Sequence, residues 1–455
     1  MMRVIFSSWL LFACGSPACD SPQRRPPVDA DADADTDGPD ADTPDDGDVV
    51  DAPDFDIPDG WPPREDCQPT PQHGVSIGGY EYFFSVPYTL GGVTLTLGEP
   101  GIILFDSGRQ CNYYNGINVW QQEIFQYHLT EREEQLLVAY PAPQFQPYEF
   151  NGKIYFNSNY VEYQPGATGN PWETEPNVWV LDDGGPRAYT TWCPPGYGCV
   201  ERGVSKSGKM FYFEYDPAVR PLLVRIMLHD LTTQETRLIL DGREAPMVRA
   251  IGDRALFWNY GPCDPLRYYD FERDLLVEDY DYSVFAAHAW GKYLAWDDCL
   301  SMESYVLDLN TGTLRNLDAE LNLDPETKYF AIHTGYENLV ASVDRNREVP
   351  ERGTAAHLWL YDLDTRVERR ITSEAAKWTW GGLPVVNCDW AVLSLDYGKN
   401  GTNQFHFVQA ALNLQQAGIL DENCHLIPGP PIEFTLEEFI TASGFTLEDY
   451  DPIYR

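Results

Sequence analysis

Seven short runs along the chain share one order of residues. Each opens on a turn with Gly or Asn, continues through a strand-length apolar stretch and ends on a side-chain carboxylate or amide. The runs occupy 98–106, 151–157, 207–214, 252–259, 291–297, 335–344 and 387–396. Their last residues lie 51, 57, 45, 38, 47 and 52 positions apart. Each is followed by a second pair of β-rich runs around a turn. That pair is clearest at 177–191, 225–240, 304–317 and 357–372, where the turn is acidic, and less regular at 124–137 and 405–414. Helical periodicity is almost absent. Four strands per unit at a spacing near the ~40–50 residues of a blade predict an all-β chain, a seven-bladed β-propeller over residues 64–431.

Segment 80–86 reads as a further strand that pairs with the last blade and closes the ring; which terminus supplies the outermost strand stays open. In the tail, 432–455, Thr435-x-x-Glu438 forms a capping-box pattern that starts one short helix packed on the propeller. The segments SKSGKMFYFEY (205–215) and HLWLYDLDTRVERRIT (357–372) resemble TolB-like and WD-repeat-like propellers, a likeness that extends loosely over 92–428. It implies a fold and no chemistry. The WD dipeptide of WD repeats is out of register.

With the strands of a blade labelled A to D from axis to rim, the seven marker turns join A to B. The B–C and D–A loops then emerge on the opposite face, which carries the long insertions 107–122, 158–176 and 345–356. Binding residues concentrate on loops held by a rigid scaffold. These loops hold Tyr113, Tyr114, Trp120, Tyr160, Tyr163 and Trp172, which suit stacking on a sugar or gripping a peptide, or else pack their own loops. The B-strand ends place Asp106, Asn157, Glu214, Asn259, Asp297, Asp344 and Asp396 on the same face. Such a ring is able to hold a hard cation such as Ca²⁺ or to attract a basic partner. Alternatively, its members satisfy backbone donors as the chain leaves each strand.

The first residues have a different pattern. Arg3 is followed by a short apolar run, and Leu11-Phe12-Ala13-Cys14 resembles the lipobox of a bacterial lipoprotein. The resemblance implies a signal peptide over 1–13, lipidation of Cys14 and a lipid-anchored place in the cell envelope, on the outer membrane facing periplasm or surface. Residues 14–63 follow as an acidic tether. Between Asp29 and Asp59 there are 14 Asp and no Lys, Arg or Glu, so like charges repel and almost nothing apolar offsets chain entropy. Asp33, Asp35, Asp37 and Gly38 match the start of an EF-hand loop, but Pro44 falls where the bidentate carboxylate belongs. An Asp/Ala repeat produces such a match without a Ca²⁺ site.

Charge narrows the partners. The 455 residues carry a net charge of −40; residues 1–59 hold 3 basic and 15 acidic groups, which leaves −28 on the remainder. Nucleic acid is excluded as a general partner, since that binding rests on Lys and Arg neutralising phosphates. A protein or glycan ligand, cationic or neutral, fits, with the membrane reached through the lipid anchor alone; the sequence sets no oligomeric state.

Ten cysteines suit an oxidising compartment. Cys263 and Cys299 follow the B strands of neighbouring blades. Cys388 lies in an A–B turn, and Cys424 falls near a return on that same face. These two pairs are expected to be disulfides. Cys193 and Cys199 bound one short loop, and Cys67 and Cys111 remain for the domain's start. A Cys/His zinc site lacks the paired spacing it requires.

Catalytic signals are poor. Gly74-x-Ser76-x-Gly78 precedes a strand and not the strand-to-helix turn its chemistry needs. Ser394-x-Asp396-x-Gly398 resembles a degraded sialidase Asp box. The eight histidines are scattered. Two classes of function remain: a non-enzymatic binding module, favoured here, and a polysaccharide-directed hydrolase or lyase using the B–C loop face.

Overall fold

A computed structural model describes residues 80–85, 96–97, 101–107, 123–129, 131, 133–138, 144–158, 177–189, 197–216, 224–243, 248–261, 263–322, 328–346, 355–373, 377–379, 384–396 and 407–443. The chain divides into two units, Met1–Asp56 and Ile57–Arg455, and every described residue belongs to the second. Cys14, the tether's Asp repeat, Cys67, Cys111 and Cys193 lie outside the described residues.

The strand β1 (Tyr80–Ser85) comes first in the chain but sits at the edge of the last sheet. The first sheet follows as β2 (Thr96–Leu97), β3 (Ile102–Ser107), β4 (Glu123–His128) and β5 (Glu133–Val138), and the second as β6 (Gln144–Phe150), β7 (Lys153–Ser158), β8 (Asn177–Asp182) and β9 (Gly185–Ala188). The third comprises β10 (Gly198–Val204), β11 (Lys209–Tyr215), β12 (Val224–Asp230) and β13 (Thr236–Arg243). A seven-stranded sheet comes next: β14 (Val248–Ile251), β15 (Ala255–Asn259), β16 (Asp264–Asp270), β17 (Leu275–Trp290), β18 (Tyr293–Asp298), β19 (Ser304–Asp308) and β20 (Thr313–Asn316). One turn of helix, α1 (Leu317–Glu320), leads on. The nine-stranded last sheet holds β21 (Lys328–Tyr336), β22 (Leu339–Asn346), β23 (Ala355–Asp362), β24 (Glu368–Arg370), β25 (Lys377–Thr379), β26 (Val385–Val386), β27 (Trp390–Asp396), β28 (Phe407–Asn413) and β1. Helix α2 (Leu436–Ser443) follows.

The fold is an all-β propeller, and every neighbouring strand pair within its sheets is antiparallel. Hydrogen bonding gives five sheets, which corrects the expectation of seven separate blades. The cause is local. β17 runs for 16 residues without a turn; its first part pairs with β16 and its last part with β18, so two antiparallel runs become one sheet. In the last sheet β25 pairs with both β23 and β27 and joins the strands on either side. All seven marker runs are strands nonetheless: β3, β7, β11, β15, β18, β22 and β27.

The burial pattern explains why those runs read as continuous apolar stretches. Every residue of β15 is buried, and so are the five central residues of β11. A strand with neighbouring sheets against both of its faces loses the polar half of the usual alternation. The outer strands β5 and β20 meet water and hold mostly exposed or half-buried residues.

One latch recurs at the marker-turn end. The residue just after a C strand donates its N–H to a marker-turn carbonyl: Leu129 to Gly101 (2.7 Å), Leu231 to Gly208 (2.9 Å), Phe271 to Arg254 (2.8 Å), Leu309 to Lys292 (3.0 Å), Leu363 to Asn338 (2.8 Å) and Leu414 to Asp389 (2.8 Å). The residue before it is often an aspartate that caps its own turn. Asp308 Oδ1 accepts from the N–H groups of Asn310 (2.9 Å) and Thr311 (3.2 Å), and Lys292 stands 2.9 Å away at the start of the neighbouring B strand. Lys209 and Asp230 repeat the pairing. The acidic turns visible in the sequence are therefore turn caps.

Both ends of the described chain dock on the last sheet. β1 pairs with β28, Phe83 facing Ala410 in register, so the N-terminal side supplies the outermost strand. Thr435 and Glu438 form the reciprocal capping box: Glu438 N–H donates to Thr435 Oγ1 (3.2 Å) and Thr435 N–H to Glu438 Oε2 (2.7 Å). Ile432, Phe434 and Phe439 are buried in the core cluster that includes Leu412 and Leu414. The structure pairs Cys263 with Cys299 and Cys388 with Cys424; Cys199 is also disulfide-bonded, to a cysteine outside the described residues. Among the described residues no helix is long and apolar enough to cross a membrane.

Candidate ligand-binding face

The two ends of the propeller are built differently. At the marker-turn end, Lys206 leaves the β10–β11 turn and reaches the β21–β22 turn, which belongs to a sheet that is not its neighbour in the chain. Its Nζ donates to Tyr336 Oη (3.0 Å) and Glu337 Oε1 (2.8 Å) and lies 4.6 Å from the Tyr336 ring centroid. Burial works against the ammonium, but Glu337 and Tyr336 together hold Lys206 above the usual lysine range. Trp290 Nε1 donates to Glu337 O (3.1 Å) and Ser207 N–H to Asp253 Oδ1 (2.6 Å). These bonds tie three sheets together at the short-turn end.

At the opposite end the B-strand termini are occupied with their neighbours. Asp106, 1% exposed, accepts from Gln146 N–H (2.8 Å) on β6 of the next sheet. Burial pushes its carboxyl up to about 8, against the effect of that one N–H. Gln146 itself sits at a register break in β6 with φ 56°, and Asn157 Nδ2 donates to its Oε1 (3.2 Å). Asn259 Nδ2 donates to Val284 O (3.4 Å). Asp297 accepts from Ser304 Oγ (2.8 Å) and from Ile332 N–H (3.2 Å) on β21. Glu214 pairs with Arg225 at 2.8 Å. The described members of the expected ring thus stitch strands together and do not converge as a cation cage.

Asp344 and Asp396 lie on β22 and β27, in register with His357 and Phe407; their side chains fall outside the described ones. Tyr113, Trp120, Tyr160, Tyr163 and Trp172 lie outside the described residues as well.

Two histidine groupings escaped the sequence. His288 on β17 and His333 on β21 stand with ring centroids 6.2 Å apart. Burial pushes His288 down to about 4, opposed by a backbone bond at Ile332. Adjacent A strands bring these residues together, and no spacing along the chain signals it. The second grouping, Asp362, Asp364 and His425, has the spacing of metal ligands. Yet Asp362 is already saturated. Its Oδ1 accepts from Asn338 Nδ2 (2.8 Å) and from the N–H groups of Asp364 (2.8 Å) and Thr365 (3.1 Å). Its Oδ2 accepts from Leu426 N–H (3.1 Å) and lies 3.1 Å from His425 Nδ1. A cation would have to displace these donors, so the cluster acts as a clamp on the 421–426 loop.

No protein-family model matches the chain, and no curated protein matches it. Solved structures give remote likenesses. A chain from a structural study of two prolyl endopeptidases aligns over 72% of this chain and 51% of its own, at 10% identity and a TM-score of 0.46. An oligogalacturonate lyase from Vibrio parahaemolyticus aligns over 72% of this chain and 93% of its own, at 10% identity and a TM-score of 0.44. An acylaminoacyl peptidase aligns over 69% and 52%, at 12% identity and a TM-score of 0.39. The chain spans about half the length of the prolyl endopeptidases it resembles. Likenesses this remote carry nothing about activity, and the fold stands on its strand pairing.

Proposed function

We propose that this chain is an exported lipoprotein, anchored through Cys14 in the bacterial cell envelope, whose propeller binds a protein or glycan ligand on the face of the B–C loops and performs no catalysis on it. The observation that carries this reading is the asymmetry of the two ends. The marker-turn end has short turns and is tied across by Lys206, Tyr336 and Glu337. The connections that follow three of the B strands, 107–122, 158–176 and 345–356, are long, and the first two hold Tyr113, Tyr114, Trp120, Tyr160, Tyr163 and Trp172. A net charge of −28 beyond residue 59 favours cationic or neutral ligands, and the Asp-rich tether holds the domain off the membrane.

The test has two parts. Labelled fatty acid should enter the wild-type chain and not Cys14→Ser; equal labelling of both removes the anchor from the account. A glycan and peptidoglycan array probed with the full-length protein should then yield a ligand that Tyr163→Ala and Trp172→Ala bind more weakly at unchanged melting temperature. Release of new sugar ends from an array glycan would replace the binding reading with the hydrolase or lyase one.

A further inference from the structure

The B–C turns that follow β15 and β18 form one braced platform. Cys263–Cys299 joins them, with Cα atoms 5.3 Å apart. Both turns are also pinned to β17. Cys263 N–H donates to Val284 O (3.1 Å), and Cys299 N–H donates to Ser283 O. Ser283 Oγ donates to Cys263 O (2.7 Å), and Ser283 N–H to Asp298 Oδ1 (2.8 Å). Asp298 closes its own turn, its Oδ2 accepting from Leu300 N–H (3.2 Å), Ser301 N–H (2.8 Å) and Ser301 Oγ (2.9 Å). Beneath lie three rings: Tyr282 packs on Trp296 (5.1 Å) and on Tyr305 (5.3 Å).

At the tip of this rigid turn Leu300 is 83% exposed, with Met302 37% exposed beside it at φ 60°. Tyr280, 72% exposed, stands in the adjoining bend where the β16–β17 register breaks. Folding explains the disulfide, Asp298 and the buried rings. It gives no reason for a leucine held out in water. The rim is acidic. Arg267 is engaged with Asp264 (3.4 Å) and Glu278 (3.2 Å), and Asp279, Asp281 and Glu303 have no cation paired with them among the described residues.

We propose that this platform is the docking point for a protein partner that presents a basic segment with an apolar side. Leu300, Met302 and Tyr280 meet its apolar residues, and Asp279, Asp281 and Glu303 meet its Lys or Arg. Charge complementarity selects this partner over a second copy of the chain, which would bring the same acidic rim. A disulfide-braced turn loses little freedom on binding, so its few apolar anchors are used efficiently. The inference rests on the B–C loop face being the working one and narrows the ligand to protein.

The experiment uses the full chain with its disulfides intact and fluorescein-labelled short peptides of alternating Lys/Leu, Lys/Ser and Glu/Leu, read by anisotropy. Wild type should bind Lys/Leu more tightly than either other peptide. Leu300→Ser combined with Tyr280→Ser should weaken Lys/Leu binding by roughly tenfold or more, at unchanged melting temperature. Leu238→Ser, at a 49% exposed site on the outer strand β13, should leave it unchanged. Equal losses at Leu238 and at the platform, or no loss at the platform, overturn the proposal. Loss on Tyr163→Ala and Trp172→Ala alone overturns it too, while leaving the choice of face intact.

Discussion

Aspartates at the two ends of the propeller have opposite fates. At the marker-turn end Asp362 is fully buried, and burial pushes its carboxyl up; Asn338 and the N–H groups of Thr365, Leu426 and Asp364 outweigh that and hold it below the usual range. Asp308 behaves likewise, with Lys292, Asn310 and Thr311 outweighing desolvation. At the B-strand end Asp106 is as little exposed, and desolvation outweighs the lowering effect of the Gln146 N–H, so its carboxyl rises to about 8. Partners outweigh desolvation at Asp362 and Asp308, and desolvation outweighs the Gln146 N–H at Asp106. The B-strand end retains a costly carboxyl in Asp106.

The strongest way to break the comparison is to titrate stability. Asp106 has its ordinary value at 3.8 when unfolded and about 8 when folded. Well below pH 3.8 both states are protonated and the group costs nothing. As pH rises towards 8 the unfolded chain ionises first, so stability falls. Asp106→Asn should remove that loss, with a gain at pH 8 of up to roughly 5 kcal/mol, relative to its effect at pH 4. His288, held down to about 4, acts the other way and lowers stability as pH drops from 6.5 to 4. Urea unfolding of wild type and variant across pH 4–8 separates the two. A pH-independent difference between the chains contradicts the reading of Asp106.

Asp362→Ala should cost roughly 3 kcal/mol in the same assay, because Asn338 and three backbone N–H groups lose their acceptor in a buried site. Breaking the nearby Cys388–Cys424 bridge by a double change to Ser should cost ~2–4 kcal/mol. A loss for Asp362→Ala near zero would mean that the clamp is decorative.

Much of the fold is legible in the chain because β3, β7, β11, β15, β18, β22 and β27 are buried between neighbours and leave long apolar runs. The capping box at Thr435 and the pairs Cys263–Cys299 and Cys388–Cys424 are legible for a similar reason, since local spacing or blade position sets them. The fusion of sheets is not legible. The stretch Asp279-Tyr280-Asp281-Tyr282 has no counterpart in the repeated pattern, and it continues strand β17. The partners of Asp106 and Asp297 are set by the next sheet, 40 and 35 residues away, so composition did not separate a cation ring from strand stitching. Leu300 and Met302 stand among polar residues in a short turn, and only their exposure marks them.

The smallest expected effect lies at the short-turn end. Lys206 and Glu337 are largely exposed, so Lys206→Met should change stability by less than ~1 kcal/mol, read by thermal melting. A larger loss would show that the tie between turns is needed for folding.

Binding is assigned to the B–C loop face. Its most direct measurement is the affinity of an array-identified ligand for two full-length variants side by side, Tyr163→Ala with Trp172→Ala on one face and Lys206→Met with Glu337→Gln on the other. The account predicts a loss of roughly tenfold or more for the first and no change for the second, with both melting as wild type. Binding that survives the first and is lost in the second would place the working surface at the end tied by Lys206.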